Sequence, residues 1–218
     1  MMKEKLMTVK KGLKDAYSLK TPMDSINLYR VWASTYDSDF ALKNDYRSPS
    51  EVTKYYCQYS KISDVPILDV GAGTGLIGEC LRKECLREID AIDISSEMLT
   101  LAKEKKAYSR FIEADLTKKL HISDSQYGAI VSAGTFTHGH VGPDVFDELI
   151  RILRPDGLFI VTIHTGVFHS LEFENKLWQL RDQISQPIFH EVNAYGNNID
   201  SEHGSDKVLV TIFRKKIS

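Results

Sequence analysis

Three glycines in five residues, Gly71-Ala72-Gly73-Thr74-Gly75, follow the short apolar run 66–70 and precede a stretch with helical spacing. Glycines at a strand-to-helix turn admit positive φ and let the backbone approach a ligand closely. From residue 65 onward the pattern repeats as strand and helix. Strands are expected at 66–70, 88–94, 109–113, 127–132 and 158–164. Helices are expected after the glycine turn to about residue 83, then at 96–105, 143–153 and 171–184. Strands at 190–194 and 207–214 close the chain with no helix between them, as an antiparallel edge hairpin would. Arg154-Pro155-Asp156-Gly157 reads as a reverse turn before the fifth strand. Alternating elements imply an α/β fold with a mostly parallel sheet covered by helices on both faces. In such sheets the ligand lies outside the carboxyl ends of the strands, where the strand order reverses.

Residues 1–62 read instead as a helical segment preceding a domain at 63–218. Ser48, Pro49 and Glu51 fit a capping box with Ser48 as N-cap. Leu6, Val9, Leu13 and Tyr17 share a face at helical spacing, which reads as an amphipathic helix with a solvated basic side. The chain has 218 residues, a length suited to one domain. Its formal charge of −2 lacks the basic excess of a dedicated nucleic-acid binder. No apolar stretch reaches the ~20 residues of a membrane-spanning helix. Cys57, Cys80 and Cys85 have no paired metal spacing and read as reduced thiols of a cytoplasmic protein. The sequence leaves the oligomeric state open.

The residues behind the strands carry the chemistry. The loop reads G-x-G-x-G, with Leu76 where a dinucleotide fingerprint places its third glycine. Asp69 beside the loop disfavours a pyrophosphate and suits a cationic group such as an amino-acid ammonium. Asp93 ends the second strand twenty residues past Gly73. It is placed to accept hydrogen bonds from ribose hydroxyls, although alone it is equally compatible with a solvated acid. Asp115 follows the third strand, where it suits either an adenine amino group or a local turn.

The segment 67–75 resembles motif I of the class I S-adenosylmethionine-dependent methyltransferases. Segment 92–99 resembles that family's second-strand motif, Ala114-Asp115-Leu116 its third, and 153–158 its proline–glycine turn. The four occur in order and at family-like spacing. The resemblance implies a Rossmann-like seven-stranded sheet with an antiparallel last strand, an N-terminal helical lid, and S-adenosyl-L-methionine as cofactor, with S-adenosyl-L-homocysteine as product. It implies that Asp69, Gly71, Ala72 and Gly73 hold the methionine portion. Asp93 would bind the ribose, with Ile94 and Met98 near the adenine and Asp115 and Leu116 at its edge. Trp32-Ala33-Ser34-Thr35-Tyr36-Asp37 resembles a segment of small-molecule members. It places Tyr36, and Tyr46 as a further candidate, at the methionine end, or both within an aromatic lid.

After the fourth strand, Gly134 and Thr135 are expected to border the cofactor. His138 is the candidate base, with His140 and His164 as others. A metal is not expected, because the H-x-H pair lacks further ligands at suitable spacing. Trp32, Tyr36, Phe40, Tyr46, Phe136, Phe168 and Trp178 are candidates to enclose an acceptor. The function expected is methyl transfer to a small molecule by in-line displacement. A protein methyltransferase and a non-catalytic S-adenosylmethionine-binding protein are the alternatives.

Overall fold

The computed structural model describes residues 13–85, 87–196 and 204–217. Leu6 and Val9 of the expected first helix lie outside them. The first described helices are α1 (Leu13–Tyr17) and α2 (Pro22–Thr35). α2 begins where the local chemistry demands it. Thr21 caps the Asp24 amide, Asp24 accepts the Thr21 N–H in return, and Pro22 opens the first turn. A π-helical stretch, Tyr36–Leu42, continues α2 and leads to α3 (Ser48–Tyr59).

The remaining elements alternate: β1 (Ile67–Val70), α4 (Leu76–Glu84), β2 (Ile89–Asp93), α5 (Ser96–Glu104), β3 (Arg110–Glu113) and β4 (Tyr127–Phe136). They continue with α6 (Val145–Ile152), β5 (Leu153–His164), α7 (Thr165–Phe168), α8 (Phe173–Gln179), β6 (Ile188–Asn193) and β7 (Lys207–Arg214). The seven strands form one sheet in the order β3-β2-β1-β4-β5-β7-β6. β7 is antiparallel to both its neighbours, and the other six strands run parallel. The order reverses between β1 and β4, which puts the expected ligand crevice at their carboxyl ends.

Both faces of the sheet are buried, as a parallel sheet requires. On one face Ile67, Ala129, Val131 and Ile160 meet Val52, Tyr55 and Tyr56 of α3 and Ile77 and Leu81 of α4. On the other, Leu68, Val70, Ile130 and Phe159 meet Phe146 and Leu149 of α6, Phe173 of α8 and Val167 of α7.

Four expectations shift. α3 takes Arg47, not Ser48, as N-cap and has no side-chain cap bond. Ser48 is fully buried against a cavity under α2, and Glu51 pairs with Lys54 at 3.0 Å instead of closing a capping box. The turn at 154–157 is absorbed into β5. Arg154 binds the Val65 and Gln126 carbonyls, the Asp156 amide reaches the Lys215 carbonyl, and Asp156 takes φ 60°. Of the helix expected at 171–184 only α8, Phe173–Gln179, forms, with Glu172 at φ 62° before it, and the short α7 precedes that range. The last two strands do form a hairpin, but β7 enters between β5 and β6, so β6 is the edge.

Phe146 is fully buried, with ring centroids 5.2 Å from both Phe136 and Phe159 and 5.7 Å from Phe173. Phe146→Ala is expected to lower stability by about 3–5 kcal/mol in denaturant unfolding. A loss under about 1 kcal/mol would show that this aromatic cluster does not anchor α6.

Candidate active site

The carboxyl end of β1 is held by β4. Ser132 and Thr135 both donate hydroxyl hydrogen bonds to the Val70 carbonyl, at 2.6 and 3.0 Å. Gly71 has φ +67°, and a Cβ there would lie 2.1 Å from Thr135 Oγ1, so only glycine fits. The loop then turns back onto β2. The Gly73 amide donates to Asp93 Oδ2 at 2.8 Å, and the Ser95 amide donates to Asp93 Oδ1 at 2.9 Å. These bonds fix the Asp93 carboxylate at the floor of the crevice. Burial raises its pKa, against the lowering effect of the backbone N–H donors.

A cavity of about 310 Å³ opens at this point. Gly71, Gly73, Asp93, Ile94, Met98, Asp115, Leu116, Gly134 and Tyr36 line it, together with Tyr29, Thr135 and His140. Three of the expected residues do not. Ala72 is buried behind the loop, where its amide reaches the Ile92 carbonyl at 3.1 Å. Asp69 lies beneath the loop, only 1% exposed, and accepts the Tyr108 hydroxyl at 2.7 Å on Oδ2, while Oδ1 has no partner. Tyr46 borders a second, smaller cavity. Asp115 accepts both the Thr117 amide and its hydroxyl, at 2.8 and 2.7 Å, so one of its oxygens serves a local turn.

The second cavity, about 50 Å³, lies under α1, α2 and the π-helical stretch. It shares Tyr29, Tyr36, Gly134 and His140 with the first. Its aromatic wall holds Trp32, Phe40, Tyr46 and Phe136 as expected, and adds Tyr17, Tyr29 and Tyr195. Phe168 and Trp178 stand elsewhere, beside a groove next to β6. The covering segment is tied to the glycine loop by Asp37, which accepts the Thr74 hydroxyl and pairs with Lys105 at 2.7 Å.

The three histidines have distinct positions. His138 lines neither cavity; its ring packs at 5.1 Å from Tyr17 and 4.8 Å from His164. His164 accepts the Gly166 amide on Nδ1, so its Nε2 carries the hydrogen and faces Asp206 at 3.6 Å. Asp206 also accepts the Tyr17 hydroxyl at 3.0 Å. His140 stands where the two cavities join. Its Nδ1 is 2.7 Å from the His138 carbonyl, an atom that can only accept, so Nδ1 carries the hydrogen. Nε2 is therefore free to accept the Tyr29 hydroxyl, at 2.6 Å. Burial holds the His140 pKa below its ordinary value, which keeps the ring neutral. No cluster of metal-ligating side chains occurs among the described residues.

Sequence reasoning missed Tyr29, Tyr108 and Asp37. Tyr29 is one tyrosine on a helix, and its histidine partner lies 111 residues away. No local spacing announces either that pair or the Tyr108–Asp69 bond. Asp37 was visible only as the last residue of the A-x-x-Y-D segment.

A family profile described as "Methyltransferase domain" matches residues 68–161. The chain is 26% identical over 186 residues to human methyltransferase-like protein 27, covering 83% of this chain and 74% of that protein. It is 32% identical over 120 residues to the malonyl-[acyl-carrier protein] O-methyltransferase of Pectobacterium atrosepticum. That match covers 55% of this chain and only 46% of the relative. In fold, the chain resembles the candidate methyltransferase solved with the Haloferax volcanii Trm112 methyltransferase activator. The TM-score is 0.63 at 15% identity, covering 87% of this chain and 98% of that one.

Burial pushes the Asp69 carboxyl from 3.8 up to about 7, with the Tyr108 hydroxyl opposing and the Asp93 charge adding. An acid whose folded pKa is raised binds more protons folded than unfolded between the two values. Its contribution to stability is intact below about pH 4 and is lost as pH rises towards 7. Asp69→Asn is expected to remove this loss. Its stability relative to the native chain should rise by a few kcal/mol between about pH 4 and 7 in denaturant titrations. A pH-independent difference would show that Asp69 is not strained by burial.

Proposed function

The chain belongs to the class I S-adenosylmethionine-dependent methyltransferases, and from that premise we propose that it methylates a small-molecule acceptor. The larger cavity holds the cofactor and the smaller one receives the acceptor. The observation that carries this reading is the junction itself. Two cavities of about 310 and 50 Å³ share Tyr29, Tyr36, Gly134 and His140 in their walls, which sets an occupant of one beside an occupant of the other.

The residues present fit S-adenosylmethionine. A volume of about 310 Å³ is that of a small-molecule site. Asp93 is buried and fixed by two amides, with lone pairs left for ribose hydroxyls. Ile94, Met98 and Leu116 supply apolar surface for an adenine, with Asp115 at its edge. Gly71 and Gly73 supply loop backbone for the methionine end, and Tyr36 lines the same cavity. Asp69 Oδ1, buried and without a partner, is the carboxylate nearest that loop in sequence. When bound, the cofactor supplies a methyl carbon already made electrophilic by its sulfonium.

The protein's own work is to position an acceptor and exclude water. α1, α2 and the π-helical stretch act as a lid over both cavities, whereas α3, also within residues 1–62, packs on the sheet. Placement favours His140 as the residue that handles a proton, because it lines both cavities, whereas His164 lines only the smaller and His138 neither. A second reading takes a carboxylate oxygen as the acceptor. The identity to malonyl-[acyl-carrier protein] O-methyltransferases supports it, over less than half of those proteins.

Asp93→Ala is expected to weaken S-adenosylhomocysteine binding by about 1–3 kcal/mol, roughly 5- to 150-fold, in calorimetric titration. The circular dichroism spectrum should stay native. Unaltered affinity in a folded variant would remove Asp93 from the cofactor site.

A further inference from the structure

We propose that the small pocket takes an amine that also carries an oxygen, so that the methyl acceptor is nitrogen; this rests on reading that pocket as the acceptor site. The walls are the rings of Tyr29, Trp32, Tyr36, Phe40, Tyr46 and Tyr195. Tyr29 and Trp32 stack at 6.2 Å, and the other pairs are edge to face or tilted, with Trp32–Tyr36 at 5.1 Å, Trp32–Phe40 at 5.4 Å and Phe40–Tyr46 at 5.4 Å. Ring faces attract a cation.

The surrounding charge has the same preference. No lysine or arginine lines this pocket among the described residues. The carboxylate of Asp206 accepts the Tyr17 hydroxyl at 3.0 Å and faces His164 Nε2 at 3.6 Å, and both residues line the pocket. Burial pushes the Tyr29 and Tyr46 hydroxyls up, which keeps them neutral. A carboxylate placed here would have the Asp206 charge behind Tyr17, and no lysine or arginine among the described lining residues to offset it. An ammonium would meet aromatic rings and a nearby opposite charge.

Two buried groups call for an oxygen on the same ligand. Trp32 and Thr137 both line the pocket, 2% and 8% exposed, and Trp32 Nε1 and Thr137 Oγ1 have no partner among the described residues. An indole N–H can only donate, so an oxygen on the ligand satisfies it.

The proton balance fits an amine. The bound ammonium first passes one proton through the Tyr29 hydroxyl to His140 Nε2 and on to water, and the neutral nitrogen's lone pair then forms the new N–C bond to the methyl carbon. The C–S bond breaks, and its electron pair stays on sulfur as the neutral thioether. The resulting methylammonium gives its proton to the Tyr29 oxygen as the Tyr29 hydrogen passes to His140 Nε2, 2.6 Å away. His140 is neutral beforehand and becomes the imidazolium, which later releases the proton to water.

The test uses the full chain carrying Trp178→Phe, because Trp178 is 65% exposed and distant from the pocket. Trp32 is then the only indole of the two in the sequence. S-adenosylhomocysteine binding is first measured by calorimetry. With that ligand saturating, Trp32 fluorescence is titrated with choline, with its neutral isostere 3,3-dimethylbutan-1-ol, and with malonate. Choline is expected to bind at least about tenfold more tightly than the isostere or malonate. Tyr36→Leu should abolish that preference. Equal binding of choline and isostere, tighter malonate binding, or no response to any of them overturns the amine assignment while leaving the cofactor site standing. Failure of S-adenosylhomocysteine to bind overturns the cofactor reading and the amine assignment with it.

Discussion

The site depends on how β1 ends. Its last carbonyl, on Val70, accepts two hydroxyls from β4, and the next residue has a side chain of the neighbouring strand where its own Cβ would be. The chain must therefore turn sharply at Gly71, and the turn throws the Gly73 amide onto Asp93 of β2. Three strand ends are thus linked at the point where sheet order reverses. The crevice expected there by topology becomes a rigid floor with one buried carboxylate. A floor of this kind is preorganised: the Asp93 oxygens are already oriented before a ligand arrives.

The roof follows from different physics. α2 starts at a capping box and runs into a π-helical stretch, whose aromatic residues pack on one another rather than on the sheet core. Asp37 pins that stretch to Thr74 and Lys105, and Arg30 pairs with Glu97 at 3.1 Å on the exposed surface. The partly buried anchor to the glycine loop is the stronger of the two kinds of contact, because exposed pairs contribute little. Floor and roof meet at Tyr29 and His140. The covering segment therefore supplies Tyr29 to the wall that both cavities share.

The floor was largely legible in the sequence. Gly71, Gly73, Asp93 and Asp115 each follow an apolar strand run, and strand ends are where this architecture puts ligands. The seven-stranded sheet and its antiparallel final strand were also expected. The roof was much less legible. Ser48 and Glu51 have the composition of a capping box, but Ser48 is buried by a tertiary pocket that no local rule contains. Asp69 looked like a ligand of the loop, yet its carboxylate is engaged by Tyr108, thirty-nine residues on. The sequence points to His138 before His140, and nothing local in H-x-H reverses that order. Their separation is made by the loop geometry, which turns one ring towards Tyr17 and His164 and the other towards Tyr29. The insertion of β7 between β5 and β6 is likewise long-range pairing, invisible to periodicity.

The most direct test of the account is parallel calorimetric titration of the purified protein with S-adenosylmethionine, S-adenosylhomocysteine and NAD. The geometry of the glycine loop, with Leu76 after Gly75 and Asp69 beneath, predicts that the first two bind with affinities on the order of micromolar and that NAD does not. Binding of NAD with no response to either adenosyl ligand would contradict it and return the crevice to dinucleotide chemistry.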